Sequence, residues 1–167
     1  MGFCFREGGA GQIEVCLSKR SRERLSKKIV ELTPRLFGQS LATLFENCNV
    51  YLKGWISAFK VCTRMERETL KRMDGHIRRR IRALLVRRLK RPKFLLRHLV
   101  KRGVSREQAA RTAYSSKGVW WKSGRISVNR AYPIRWFEER LVSLLAEWER
   151  LNQPPALVSG QLLLFQM

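Results

Sequence analysis

Aspartate is almost absent from this chain: Asp74 is the only one, and twelve glutamates bring the acids to 13 in 167 residues. Two-metal polymerase or nuclease chemistry needs several convergent carboxylates, so no catalytic centre of that kind is expected. Histidine is nearly as scarce, with His76 and His98 alone. No Ser/His/acid or Cys/His arrangement stands out, and no independent enzyme is expected. The four cysteines (Cys4, Cys16, Cys48 and Cys62) form no Cys-x-x-Cys pair, which speaks against a structural zinc site. Neither a metal nor another cofactor is expected. A Cys4–Cys16 disulfide is conceivable on spacing, but reduced thiols in the cytoplasm are the favoured reading. The longest apolar run, Leu162 to Phe165, is far too short to span a bilayer, and no membrane partner is expected. The first residues lack a basic region followed by a long apolar one, so no secretory signal is expected.

What is present is positive charge. Lysine and arginine number 35, for a net charge of +22. Hydrophobic residues make up 44% of the chain, which excludes a disordered basic tail. A folded protein so charged repels itself unless a polyanion screens it. The charge peaks between Arg78 and Arg91, where eight of fourteen residues are basic and none is acidic. The spacing predicts one long helix between Arg64 and Lys93. Leu70, Met73, Ile77, Ile81 and Leu84 fall in one apolar sector, Arg79, Arg82 and Lys90 point away from it, and Arg80, Arg87 and His76 lie on a flank. Arg88 returns to the apolar side, where it must snorkel, pair or mark fraying. Such a cationic face is the footprint of a phosphate binder.

Alternation of Phe3 and Phe5, a glycine-rich turn, then Ile13, Val15 and Leu17 predicts a hairpin over 2–17, which needs another surface to rest on. A helix is expected from Ser18 or Ser21 to just before Pro34. Another opens at the Ser40 cap and carries Leu41, Leu44, Phe45, Cys48, Leu52, Trp55 and Phe59 inward. Pro92 stops the Arg-rich helix, and Gly103 ends a short helix after it. Ser105 to Gln108 reads as a capping box. Residues 115–132 read as polar and turn-rich, and one last helix is expected from Pro133 through Trp148. The fold class is mainly α, with a hairpin in front.

Three positions carry alternatives. Asp74 reads as an i,i+4 ion pair with Arg78 or as an anchor for an arginine of a neighbouring helix. Gly54, mid-helix, marks the close approach of another helix or of an RNA backbone. Trp120 and Trp121 sit among lysines, and extended geometry would turn one into the core and leave the other to stack on an unpaired base.

Asn49-Val50-Tyr51-Leu52-Lys53-Gly54-Trp55, then Phe59, then Met73-Asp74 leading into the arginine run and Lys90-Arg91-Pro92, resembles the maturase-specific domain of group II intron-encoded reverse transcriptases, also called domain X or the thumb. The likeness continues through Leu99 to Ser105 and Ser115 to Trp120, and more loosely from Asn129 to Leu144. Residues 2–5 look like the strand that closes the palm of these enzymes. Val50 stands where the family usually has proline, so a helix is expected to run through, and Ala58 replaces a common aromatic. The fingers and palm, with their Tyr-Ala-Asp-Asp motif, are missing. The resemblance implies a palm-remnant hairpin (1–17), a helical thumb (18–114), a C-terminal helical extension (115–151) and a tail (152–167). It implies binding of group II intron RNA, or of a template–primer, to assist splicing. RNA contacts are expected from Lys53, Arg64, Arg78, Arg79, Arg82, Arg87, Lys90, Arg91 and Trp120, with Gly54, Trp55 and Asp74 as structural motif residues. The alternative is the downstream part of a split reverse transcriptase that needs a separate fingers–palm subunit. No small-molecule substrate is expected.

Overall fold

The computed structural model describes residues 2–7, 11–34, 38, 40–62 and 67–152. Strands β1 (Phe3–Glu7) and β2 (Ile13–Leu17) pair antiparallel, with Phe3 opposite Leu17 and Glu7 opposite Ile13. The hairpin rests on the helices by its root. Cys16 and Leu17 are buried, the Phe3 ring lies 5.1 Å from that of Phe59, and the Gly2 carbonyl accepts from Ser18 N and Ser21 Oγ. Its far end leaves Phe5 and Ile13 exposed.

Nine helices follow among the described residues. Ser18 caps α1 (Lys19–Leu32) by accepting from Ser21 N, and Ser40 caps α2 (Leu41–Phe59) by accepting from Thr43 N. Val50 does not interrupt α2, as its replacement of proline predicts. α3 (Arg67–Arg88) is the central element and packs against both α6 and α9. α4 (Pro92–Lys101) begins on Pro92. It ends in a Schellman turn: Gly103, at φ +81°, donates to Val100 O while Val104 donates to Leu99 O. α5 (Arg106–Ala113) is capped by Ser105. Then come α6 (Val119–Ser123), α7 (Ile126–Ala131), α8 (Ile134–Glu138) and α9 (Leu144–Leu151). One apolar cluster runs from Leu17 through Leu25, Leu52, Ile81 and Leu99 to Trp148. No helix among the described residues is long and apolar enough to cross a membrane.

Three expectations are corrected. Residues 115–132 are not mainly turn, because they hold α6 and α7. The last helix is split: α8 closes where Arg140 and Leu141 both donate to the Phe137 carbonyl, and α9 starts afresh at the Ser143 cap. Helical periodicity continued across the break, but side chains from elsewhere satisfy the backbone groups freed there. Asn49 on α2 donates to Arg140 O (2.9 Å) and accepts from Val142 N (2.8 Å). Asp74 on α3 accepts from Ser143 Oγ, Leu144 N and Leu145 N at 2.7–3.1 Å. Asp74 thus anchors the amino end of a helix, where a carboxylate meets both orphan N–H groups and the positive end of the dipole, rather than an arginine.

The third concerns α3 itself. Leu70, Ile77, Ile81 and Leu84 are buried as expected and Met73 partly so, but Asp74, Arg82, Leu85 and Val86 are buried too. The helix has neighbours on more than one side, and several of its arginines are structural. Arg64 and residues 153–167 lie outside the described residues.

Candidate nucleic-acid interface

Arginine can donate to a main-chain carbonyl as well as to a phosphate, and several of this chain's cations are used that way. The last carbonyls of a helix have no intrahelical partner and sit at its negative end. Arg82 gives Nε and Nη2 to Tyr132 O, at the C-cap of α7, at 3.0 and 2.8 Å. Arg102 donates to Ala131 O in the same turn, Lys122 to Ala113 O at the end of α5, and Arg80 to Thr33 O and Oγ1 at the C-cap of α1. Aromatic faces cover two of these guanidinium groups. Arg82 lies 5.0 Å from the Phe137 ring centre and Arg102 4.2 Å from that of Tyr132. Burial, then the neighbouring Arg78 charge, pulls Arg82 down to about 10.

Arg79 is likewise turned inward. Its guanidinium stacks 4.2 Å from the Trp120 ring centre, donates to Trp120 O and packs beside Gly124, where a Cβ would come within 3.2 Å of Nη2. The expectation that Arg79 and Arg82 face solvent is therefore corrected: the C-terminal helices cover that side of α3. Arg78 lines a different cleft, shared with Asp74, Glu138 and Glu149, where the charge is mixed.

A further cationic row lies on the flank of α3, with Arg80 in it already donating to Thr33. Arg72, His76, Arg80, Ala83 and Arg87 follow at intervals of 4, 4, 3 and 4 and so share one face. Over 15 residues that row is about 22 Å long. Three clefts join along it. The first, between α1 and α3, runs from Arg22 and Arg72 to His76. His76 also lines the second, which reaches Thr33, Arg80, Arg87 and Trp120. Arg87, Gly118 and Val119 are shared with the third, which adds Lys90, Lys117 and Lys122. The result is one trough with seven lysine or arginine side chains in its walls, Arg80 and Lys122 of them also donating to main-chain carbonyls, and no carboxylate among the described residues. Burial, then Arg80 and Arg79, hold the His76 imidazolium below its usual range.

Of the residues the sequence singled out, the structure brings Arg87, Lys90 and Trp120 into this trough. Trp120 is 44% exposed, with Arg79 against its ring and His76 5.9 Å away. Trp121 is exposed as well and carries Arg125 over its ring at 4.6 Å. Neither is core, because α6 turns them 100° apart rather than to opposite faces. Arg91 is exposed at the N-cap of α4 but does not line the trough. Lys53 is exposed on α2 within electrostatic reach of Glu147, away from the trough. Gly54 is open, with no described heavy atom within 4 Å of where its Cβ would stand, so no helix crosses there. Trp55 is core, 4.6 Å from Phe59. The sequence reading passed over Arg22, Arg72, Lys117 and Lys122. The flank shared by His76, Arg80 and Arg87 was the signal that could have found Arg72.

Residues 22–103 match the family described as group II intron, maturase-specific domain, and that stretch is such a domain. No curated protein matches the chain. The matched stretch begins inside α1 and ends on the glycine that terminates α4, so it supplies Arg22, Arg72, Arg80, Arg87 and Lys90. Lys117, Trp120 and Lys122 lie beyond it.

Proposed function

We propose that this module grips structured intron RNA, or a template–primer duplex, along the α3 trough and assists splicing by neutralising phosphates that would otherwise resist folding. The observation that carries this reading is the unmixed sign of the trough walls among the described residues. A solvated helix face mixes both charges, as the cleft on the other side of α3 does. The row on α3 is long enough to follow on the order of six phosphates of one duplex strand. A-form RNA offers these phosphates beside the 2′-hydroxyls of its wide minor groove. Residues 18–114 act as the thumb, and 115–151 close the trough with α6. The module works in the cytoplasm, a setting that its unbridged thiols suit.

The test replaces Arg87, Lys90 and Lys117 by glutamate. Affinity for a structured intron transcript should collapse, and the slope of log K against log salt should flatten by roughly 2 to 3. Helix content and urea midpoint should stay as in the parent. Unchanged affinity and slope would end the proposal.

A second reading is favoured by the hairpin. Its far end exposes Phe5 and Ile13, and its two strands have only each other as sheet neighbours among the described residues. That edge suits docking onto a separately encoded fingers–palm subunit to restore reverse transcription. Primer extension by the mixture, absent from either component, is the outcome that supports it.

A further inference from the structure

The upstream end of the trough differs in chemistry from the rest. Between α1 and α3 lies a cleft of about 310 Å³ whose floor is aliphatic: Met73 from α3 is partly exposed there, over Leu25 and Ile29 from α1 and Ile77 from α3, which are each only 1% exposed. Ser26 and Thr69 stand on its opposite walls, and Arg22 and Arg72 flank it, one from each helix. No carboxylate lines it among the described residues. A phosphate would be held by the donors at the rim, Arg22, Arg72, Ser26 and Thr69, and not by the aliphatic carbon beneath them. A sugar–phosphate strand passing over the rim would leave the Met73 side chain at the bottom of the cleft uncovered. A nucleobase fits both features, since its faces are apolar and its edge carries donors and acceptors for hydroxyl groups. The volume lies at the small end for ligand clefts and suits one base with its sugar.

Resting on the trough reading above, we infer that the α1–α3 cleft receives a single unpaired nucleobase turned out of the RNA stack. The adjoining phosphates lie on Arg22 and Arg72, and the strand continues past His76 toward Arg80 and Arg87. His76 lines both clefts, so the base site and the phosphate track are continuous. The ligand is thus an RNA helix carrying a bulged or everted nucleotide, rather than an uninterrupted duplex. Turning a base out costs least where it is already unpaired.

The experiment compares two RNA stem-loops that differ only by one bulged adenosine, replaced by 2-aminopurine for fluorescence. The full chain should bind the bulged stem on the order of tenfold more tightly, as burial of one base would give. Thr69→Trp fills the cleft from its α3 wall, and Ser26→Trp does so independently from α1. Either should erase the preference and the fluorescence change while leaving affinity for the perfect stem intact. Equal affinity of the parent protein for both stems would overturn the base site and leave the phosphate track standing. A preference that survives both tryptophan variants would overturn it too. Failure to bind either stem at low salt would remove the trough reading and this site with it.

Discussion

Arg82 and Tyr132, 50 residues apart, are joined by two hydrogen bonds from one guanidinium to one carbonyl oxygen. This pairing fastens the last turn of α7 to the middle of α3, and Phe137 covers it. Geometry of this kind, a fork on one acceptor in a dry place, is what lysine cannot reproduce.

Replacing Arg82 by alanine leaves the Tyr132 carbonyl buried without its donor and opens space beside Phe137. A loss of about 3 kcal/mol is expected in urea denaturation. Arg82→Lys should fall between the parent and Arg82→Ala. RNA affinity measured on whatever fraction stays folded should be unchanged, which separates this arginine from Arg87.

Asp74→Asn changes little in size but puts an NH₂ group where three donors converge. One of those contacts becomes a repulsion, and a cost of about 2 kcal/mol is expected from the urea midpoint. Ser143→Ala removes one of the three bonds and should cost about 1 kcal/mol. The double variant should lose less than the sum, because the two groups are partners.

Acid should weaken the fold before the carboxylates titrate. Burial, then cationic neighbours, lowers both histidines: Arg80 and Arg79 act on His76, Arg102 and Lys101 on His98. The unfolded chain therefore binds more protons than the folded one once pH drops below about 6.5, so stability present above that pH is lost on acidification through the folded values. A denaturation series between pH 8 and 5 should show the decline, and a His76→Gln/His98→Gln variant should flatten it. RNA phosphates near His76 reverse its environment, so trough binding should strengthen as pH falls over the same range. His76→Gln alone should remove that trend.

Gly103 closes α4 in the left-handed region, where a side chain is strained. Gly103→Ala should cost about 1 kcal/mol. Gly54→Ala, on an open face of α2, should instead stabilise by up to about 1 kcal/mol. If Gly54→Ala also lowers RNA affinity, that open face belongs to the interface.

Local signals were legible where one helix decides its own ends. Ser18, Ser40, Ser105, Pro92 and Gly103 all mark boundaries that the structure shows. Signals failed where a distant side chain supplied the partner. Periodicity from Pro133 to Trp148 reads as one helix, because nothing in that stretch says that Asn49 and Asp74 will take its freed N–H groups. The arginine run misled for a related reason. A helical wheel places Arg79 and Arg82 away from the apolar residues, and only the packing of α6, α7 and α8 shows that this side is also interior. The family resemblance was carried by motif residues such as Asn49, Trp55 and Asp74, whose contacts are with the fold itself.

Asn49 has one more consequence. By holding both sides of the corner between α8 and α9, it ties a segment beyond residue 140 to a helix within the matched domain. A gene cut after the codon for Gly103 would keep most of the familiar motif yet strip the lid from its arginines. Such a shortened product should be recovered from cells as insoluble material, whereas a cut after Asn152 should yield a protein that survives purification.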